Sequence, residues 1–288
     1  MKSPTITILV PNYKGYEKLL QNLPGVMEGF KRDGLSFKLI IVDDGSGKDE
    51  HKNISSSFPQ AQLIANETRK GYVCSIIAGM KHCKTHLVFL LNNDMIFETQ
   101  SSIRPMIETA MTESVFSVTP KVKNLKKQNK DEGYSLNIIN HGLIGQNIPG
   151  LNGSMPVPST LSNHSFMHGG CSFVNRNYYK ILGGVSPIFT PGYWEDVDIS
   201  IRAQALGLKV LYQPQTVFIH QHSQTMGIIY RTWQKEYLSK RNWFLLNYKH
   251  LHNGQLIKGL LQNIYIVFRQ RDIIRALSLL AATIKILK

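Results

Sequence analysis

Residues 37–46 read FKLIIVDDGS. The run Leu39-Ile40-Ile41-Val42 has no polar alternation, the pattern of a parallel strand covered on both faces. Asp43-Asp44-Gly45-Ser46 closes the strand with acidic and turn-forming residues. The same pattern recurs on either side. Residues 5–10 form an expected strand that ends in the turn Pro11-Asn12-Tyr13. Residues 62–65 form another, and residues 86–91 a fourth that ends in Asn92-Asn93-Asp94. Helices are expected from about Tyr16, with an interruption near Pro24, and over residues 49–57, 71–84 and 101–112, before a strand at 115–119. Such alternation predicts an α/β fold whose mostly parallel sheet is flanked by helices. Ligands of open sheets bind at the carboxyl ends of the strands. Asn12, Asp43/Asp44 and Asn92/Asp94 stand at those ends.

The second half is more mixed. Residues 121–130 are lysine-rich and read as an exposed loop, and residues 133–165, rich in Gly, Asn, Ser and Pro, read as irregular. A strand is expected at 167–175, a short helix at 177–182, a helix at 194–206, and strands at 209–212 and 216–220. From about Ile228 the chain turns helical, with one helix over 233–250 and a second helical region over 255–287. The domain division expected is 1–225, in two halves at 1–120 and 121–225, followed by a basic helical extension at 226–288.

Composition narrows the classes. The 288 residues are 42% hydrophobic, enough for a sizeable core. No run of about 18 apolar residues occurs, so no spanning helix is expected. The first apolar stretch, residues 6–10, is too short for a signal core. With three cysteines and no metal-type spacing, a reducing cytoplasmic setting is expected. The net charge of +14 is uneven: residues 231–288 hold eleven Lys/Arg against two Asp/Glu. Such a surface attracts anions. The apolar segment 273–287 resembles an interfacial amphipathic helix. The tail reads as docking on the anionic inner face of a plasma membrane, through residues 228–288 and aromatics such as Trp233, Trp243 and Phe244. Packing on the preceding domain, or into a homo-oligomer, is the alternative. No nucleic-acid module is recognisable. Neither a dinucleotide-binding glycine fingerprint nor a Walker-type lysine follows the first strand.

Four acidic or imidazole clusters carry candidate chemistry. Asp43-Asp44 can accept hydrogen bonds from a base or a ribose. Asp94 can bind a divalent cation, whereas Asn92 beside it is a poor metal ligand. Glu195-Asp196-Val197-Asp198 opens a helix, whose dipole favours ionised carboxylates and hence a general base. Asp198 and Arg202, four apart, also suit a structural ion pair. In His220-Gln221-His222 both imidazoles point to the same side of an extended segment, and one could complete a metal sphere.

Taken in order, Val10-Pro11-Asn12-Tyr13, Val42-Asp43-Asp44-Gly45-Ser46, Asn66 with Gly71, Leu91-Asn92-Asn93-Asp94, His168-Gly169-Gly170, Glu195-Asp196-Val197-Asp198 and His220 resemble the inverting glycosyltransferases of the GT-A fold, over about residues 4–225. Within that family the chain is similar to bacterial rhamnosyltransferase-type enzymes of surface-polysaccharide assembly. The resemblance implies a nucleotide-sugar donor, uridine or thymidine diphosphate-linked, and a hydroxyl acceptor on a glycan or lipid-linked glycan. It implies that Pro11, Tyr13 and Asp44 contact the nucleoside, with Asp43 supporting, and that Asn66, Arg69 and Gly71 line the donor site. Asn92, Asn93 and Asp94 match the diphosphate-binding element, with Asp94 holding Mg²⁺ or Mn²⁺ and Asn92 serving the ribose or a water. Gly169 and Gly170 allow close approach to the sugar or acceptor. Asp196 matches the catalytic base, preceded by Glu195. His220 matches a metal-binding histidine, and His222 is its substitute. The departure at Asn92 leaves a catalytically degenerate relative as the alternative.

Overall fold

The computed structural model describes residues 4–222 and 229–287. The expected boundary at 225/226 and the expected start of the tail at 228 lie outside the described residues. A central mixed sheet holds the chain together. Its first half comprises β1 (Ile6–Asn12), α1 (Tyr16–Arg32), β2 (Lys38–Asp43), α2 (Lys48–Ser57), β3 (Ala61–Ala65), α3 (Tyr72–His82) and β4 (Leu87–Leu91). The four strands lie in the order β4-β1-β2-β3, all parallel. Burial on both faces explains the unbroken apolar runs. Leu9, Ile40 and Val42 face one layer, with Ile76 and Met80 of α3. Ile8, Leu39 and Ile41 face the other, with Leu19, Val26 and Phe30 of α1. Each such side chain contributes roughly 1.5–3 kcal/mol on burial.

Pro24 does not interrupt α1, which runs through it. Proline removes one hydrogen bond, but Pro24 lies on the exposed side while Leu19, Leu23 and Val26 are buried. Water can therefore satisfy the freed carbonyl.

The second half contains β5 (Met95–Phe97), α4 (Arg104–Ala110), β6 (Val115–Asn124), β7 (Lys130–Asp131), β8 (Leu136–Asn140), β9 (Leu143–Asn147), α5 (Pro149–Asn152), β10 (Ser162–Asn163), β11 (Cys171–Asn175), α6 (Arg176–Ile181), α7 (Glu195–Ala205) and β12 (Lys209–His220). β11 inserts antiparallel between β4 and β6, and β12 runs parallel to β6. The expected loop at 121–130 is strand up to Asn124. Val122 and Asn124 point inward, and Lys121 and Lys123, which alternate with them, are more exposed, a period of two that the lysine content masked. The stretch expected to be irregular holds the β8–β9 hairpin. Residues 167–170 are not strand, because β11 begins only at Cys171. The two strands expected at 209–220 are one strand with a register shift between Gln213 and Val217.

Three helices follow: α8 (Thr232–His250), α9 (Asn253–Gln270) and α10 (Ile273–Leu287). Arg271, in a left-handed conformation, separates the last two. Trp243, Phe244, Leu245 and Leu246 of α8 join the same core layer as α3. No helix of the described residues is long and apolar enough to cross a membrane.

Candidate active site

The carboxyl ends of β1, β2 and β4 open into a cleft of about 1190 Å³. Among the residues singled out in the sequence, Pro11, Tyr13, Asp44, Arg69 and Gly71 line one end of it. Asn92, Asn93, Asp94, Gly169, Gly170, Glu195, Asp196, His220 and His222 line the rest. Asp43 and Asn66 stand behind that wall.

At the β2 end the two carboxylates are fully engaged. Asp43, wholly buried, accepts from Asn12 Nδ2 (2.9 Å), Ser46 N (2.8 Å) and Ser46 Oγ (2.6 Å), and its Oδ2 lies 2.8 Å from His51 Nε2. Asp44 accepts from the backbone N–H of Lys70 (2.8 Å) and Gly71 (2.7 Å), and from Asn66 Nδ2 (3.1 Å). It thereby fixes the loop that carries Arg69. Gly71 has φ +94°, and a Cβ there would come within 2.6 Å of Pro191, so glycine is required on both counts. The Arg69 guanidinium lies between two rings, 5.3 Å from the Tyr13 centroid and 4.7 Å from that of Tyr230, an arrangement with cation–π attraction. Its Nη2 donates to the Tyr230 hydroxyl at 2.7 Å.

At the β4 end Asn93 turns inward and donates to Asn12 Oδ1 at 2.8 Å. Asn92 packs on Gly170, where a Cβ would sit 2.3 Å from Asn92 Nδ2. Gly170 therefore makes room for Asn92, and Gly169 donates its N–H to Asp196 Oδ2 at 3.1 Å.

Next to Asp94 stands an imidazole–carboxylate cluster. His220 Nε2 is 3.4 Å from Asp94 Oδ1, and its Nδ1 is 2.5 Å from Glu132 Oε1. His222 Nε2 lies 2.8 Å from Glu132 Oε2, and His168 Nε2 lies 3.8 Å from Glu132 Oε1. Burial works against the Glu132 anion, but His168, His220 and His222 outweigh it and hold its carboxyl far below the ordinary range. Burial likewise opposes the His220 cation, yet hydrogen bonds to Asp94 and Glu132 raise its pKa to about 9. Ligand atoms of Glu132, His168 and His220 fall within 4.8 Å of one another, and His168 Nδ1 is buried without a partner. Carboxylate and imidazole donors at this spacing suit a divalent cation such as Mn²⁺. His220 and Asp94 thus come together as the sequence suggested. Glu132 was missed, and His168 had no assigned role. The one signal for Glu132 is that Asp131 and Glu132 are the only acids between residues 114 and 194.

Across the cleft, α7 presents three carboxylates in three states. Asp198 is fully buried and paired with Arg202 Nη2 (2.7 Å), Lys249 Nζ (2.6 Å) and His250 Nε2 (2.8 Å). Burial opposes its charge, but hydrogen bonds from His250 and Lys249 and the Arg202 charge hold its pKa down at about 2. It is a structural anchor for α8. Glu195 is buried, with Oε2 unpartnered. Burial first, and the neighbouring Asp196 second, push its pKa up to about 8. Asp196 is half-buried at the cleft wall, and burial raises its pKa too, against the pull of His168. A partly desolvated carboxylate facing a cleft is a competent proton acceptor.

The profile of "Glycosyl transferase family 2" matches residues 7–183. The chain belongs to that family. The match spans β1 to β11 and ends before α7. No curated protein matches this family 2 chain in sequence. Among solved structures it is similar to GalNAc-T7 with UDP, GalNAc and Mn²⁺, at 17% identity and a TM-score of 0.67, over 93% of this chain and 51% of that one. The family 2 chain therefore spans about half the length of that relative. It is also similar to the mannosyltransferase PcManGT from Pyrobaculum calidifontis in complex with GDP-Man and Mn²⁺, at 13% identity and a TM-score of 0.61, over 100% of this chain and 88% of that one. At these identities the likeness is one of fold, GT-A. The family 2 chain adds to its cleft residues from beyond the match, including Tyr230, Arg231 and Lys235 at the start of α8.

Proposed function

We propose that the protein is an inverting glycosyltransferase that moves a sugar from a uridine or thymidine diphosphate donor to a hydroxyl of a glycan or lipid-linked glycan. In this reading it works in surface-polysaccharide assembly, in the cytoplasm at an anionic membrane face. The observation that carries the reading is convergence. Asp94 and Asp196, 102 positions apart by their numbers, open onto one cleft with the Glu132 cluster beside them.

Tyr13, Arg69 and Asp44 shape the nucleoside end, while Asp43 and Asn66 hold the loops that carry them. Asp94, Glu132, His168 and His220 would hold Mg²⁺ or Mn²⁺, whose charge would offset that of the departing diphosphate. His222 supports the set through Glu132. Asn92 carries no charge, but Glu132 supplies a second carboxylate, which favours an active enzyme over a degenerate one. Asp196 takes the proton from the acceptor hydroxyl. The acceptor oxygen then bonds to the anomeric carbon as the bond to the diphosphate breaks, so the configuration inverts. Glu195 precedes Asp196, whose charge, after burial, helps to keep the Glu195 carboxyl raised.

The test pairs thermal shift against UDP, dTDP and GDP, with Mn²⁺ or Mg²⁺, with hydrolysis and transfer assays of the corresponding nucleotide sugars. Metal-dependent stabilisation by a nucleoside diphosphate and release of product with inverted configuration are expected. Indifference to every nucleotide would end the proposal.

A further inference from the structure

The membrane role expected of the tail draws on its charge and on aromatics of which Trp233 is exposed while others have uses in the fold. Trp243 and Phe244 are buried, Tyr230 stacks on Arg69, and the Tyr248 hydroxyl lies 2.7 Å from that of Thr283. Arg275 and Lys285 also turn to the protein, reaching Asn263 Oδ1 and Ile188 O. A different surface remains bare. Along α9, Ile257, Leu261, Ile264, Tyr265 and Phe268 are exposed, Phe268 to 78%. Along α10, Ile273, Leu277, Leu280, Ile284 and Leu287 are exposed. The spacings of three and four put each set on one side of its helix. The opposite sides pack on the domain through Leu256, Leu260, Leu279 and Ala282. Patches of this extent seldom stay in water.

We propose that the outer face of α9 and α10 docks on an anionic lipid bilayer. Charge complementarity selects this occupant. Lys258 and Arg269 are exposed on α9, and Arg271 is exposed at the turn between the two helices. The single carboxylate of residues 253–287, Asp272 in that turn, is engaged by Lys240 at 2.8 Å and by Arg275. At 18 and 15 residues the helices would extend about 27 and 22 Å, suited to lying in the headgroup region. The face is also tied to the cleft. The turn of the β8–β9 hairpin rests on α9, where Gly142 and Gly259 meet and Asn263 Nδ2 donates to His141 O at 3.1 Å. Ile138 and Ile139 of β8 are exposed as well. Beyond β9, Ile148 lines the cleft. Docking would therefore bring the acceptor side of the cleft to the lipid surface. The docking itself does not depend on the transferase reading. Only its use, delivery of a lipid-linked acceptor, rests on that reading.

The test is flotation of the full chain with vesicles of phosphatidylcholine alone or mixed equally with phosphatidylglycerol. Flotation is expected with the anionic vesicles and should weaken as salt rises. The double variant Leu261→Glu/Phe268→Glu should stay unbound with an unchanged melting temperature, since both residues are exposed. Arg269→Gln/Arg271→Gln should weaken binding by about 10–30-fold. A parent chain that ignores anionic vesicles, or variants that float as well as the parent, would overturn the proposal. So would a concentration-dependent dimer abolished by the Glu variants, which would assign the face to a second copy. Nucleotide binding measured on the same samples separates failure of docking from failure of the transferase reading.

Discussion

Two pairs of adjacent acids flank the cleft, and they are built in opposite ways. Asp43-Asp44 is saturated: its oxygens accept from Asn12, Ser46, Asn66, Lys70 and Gly71. Glu195-Asp196 is starved by comparison: Asp196 accepts from the Gly169 and Val197 N–H groups, Glu195 keeps an oxygen without a partner, and both carboxyls are pushed toward the protonated form by burial. A saturated buried carboxylate is architecture, because its lone pairs are committed to holding loops in place. An unsatisfied one is costly to keep, and so it points to chemistry. Asp198, two residues past the starved pair, shows how local the difference is, since Arg202, Lys249 and His250 together make it an anchor.

The contrast can be broken most sharply at Asp196. Asp196→Asn should lower turnover by about two to four orders of magnitude, with nucleotide affinity nearly unchanged by calorimetry. Full activity in that variant would reduce the starved pair to a structural curiosity. Glu132→Gln comes next. Weakening the carboxylate that gathers His168, His220 and His222 should cost about 10–100-fold in metal affinity, read by titrating Mn²⁺ into the metal-free protein.

At the saturated pair the effect should fall on stability instead. Asp43→Ala orphans the Ser46 and Asn12 donors and should cost about 1–3 kcal/mol in denaturant unfolding. Loss of activity without loss of stability would place Asp43 in the chemistry after all.

The smallest effect is a change of slope. Glu195, held up to about 8 by burial and by Asp196, keeps its proton in the folded chain where the unfolded chain has released it. Its contribution to stability is therefore full below the unfolded value of about 4.3 and is lost as pH rises to about 8. Melting temperatures taken from pH 5 to 8 should decline less in Glu195→Gln than in the parent. Parallel curves would mean that Glu195 is not starved.

Much of the first half was legible because its signals are local. An unbroken apolar run needs cover on both faces, and β1, β2 and β4 obtain it from α1 and α3. The acids after those runs had to lie at strand ends, and they do. The second half was less legible for equally physical reasons. Lysines at alternate positions hid the end of β6, and Glu132 follows a two-residue strand with no motif around it.

What the sequence determined by itself is the alternation of strands and helices, the polar strand ends that form the cleft, and the excess of cationic charge near the carboxyl end. All of these depend on spacing along the chain. Tertiary structure alone decided which carboxylates are spent and which are free, that Glu132 gathers the histidines, and that Tyr230 reaches Arg69 while Phe268 faces outward. Those outcomes depend on partners distant in sequence, such as the 88 positions between Glu132 and His220. A side chain's charge and solvation are set by what surrounds it in space.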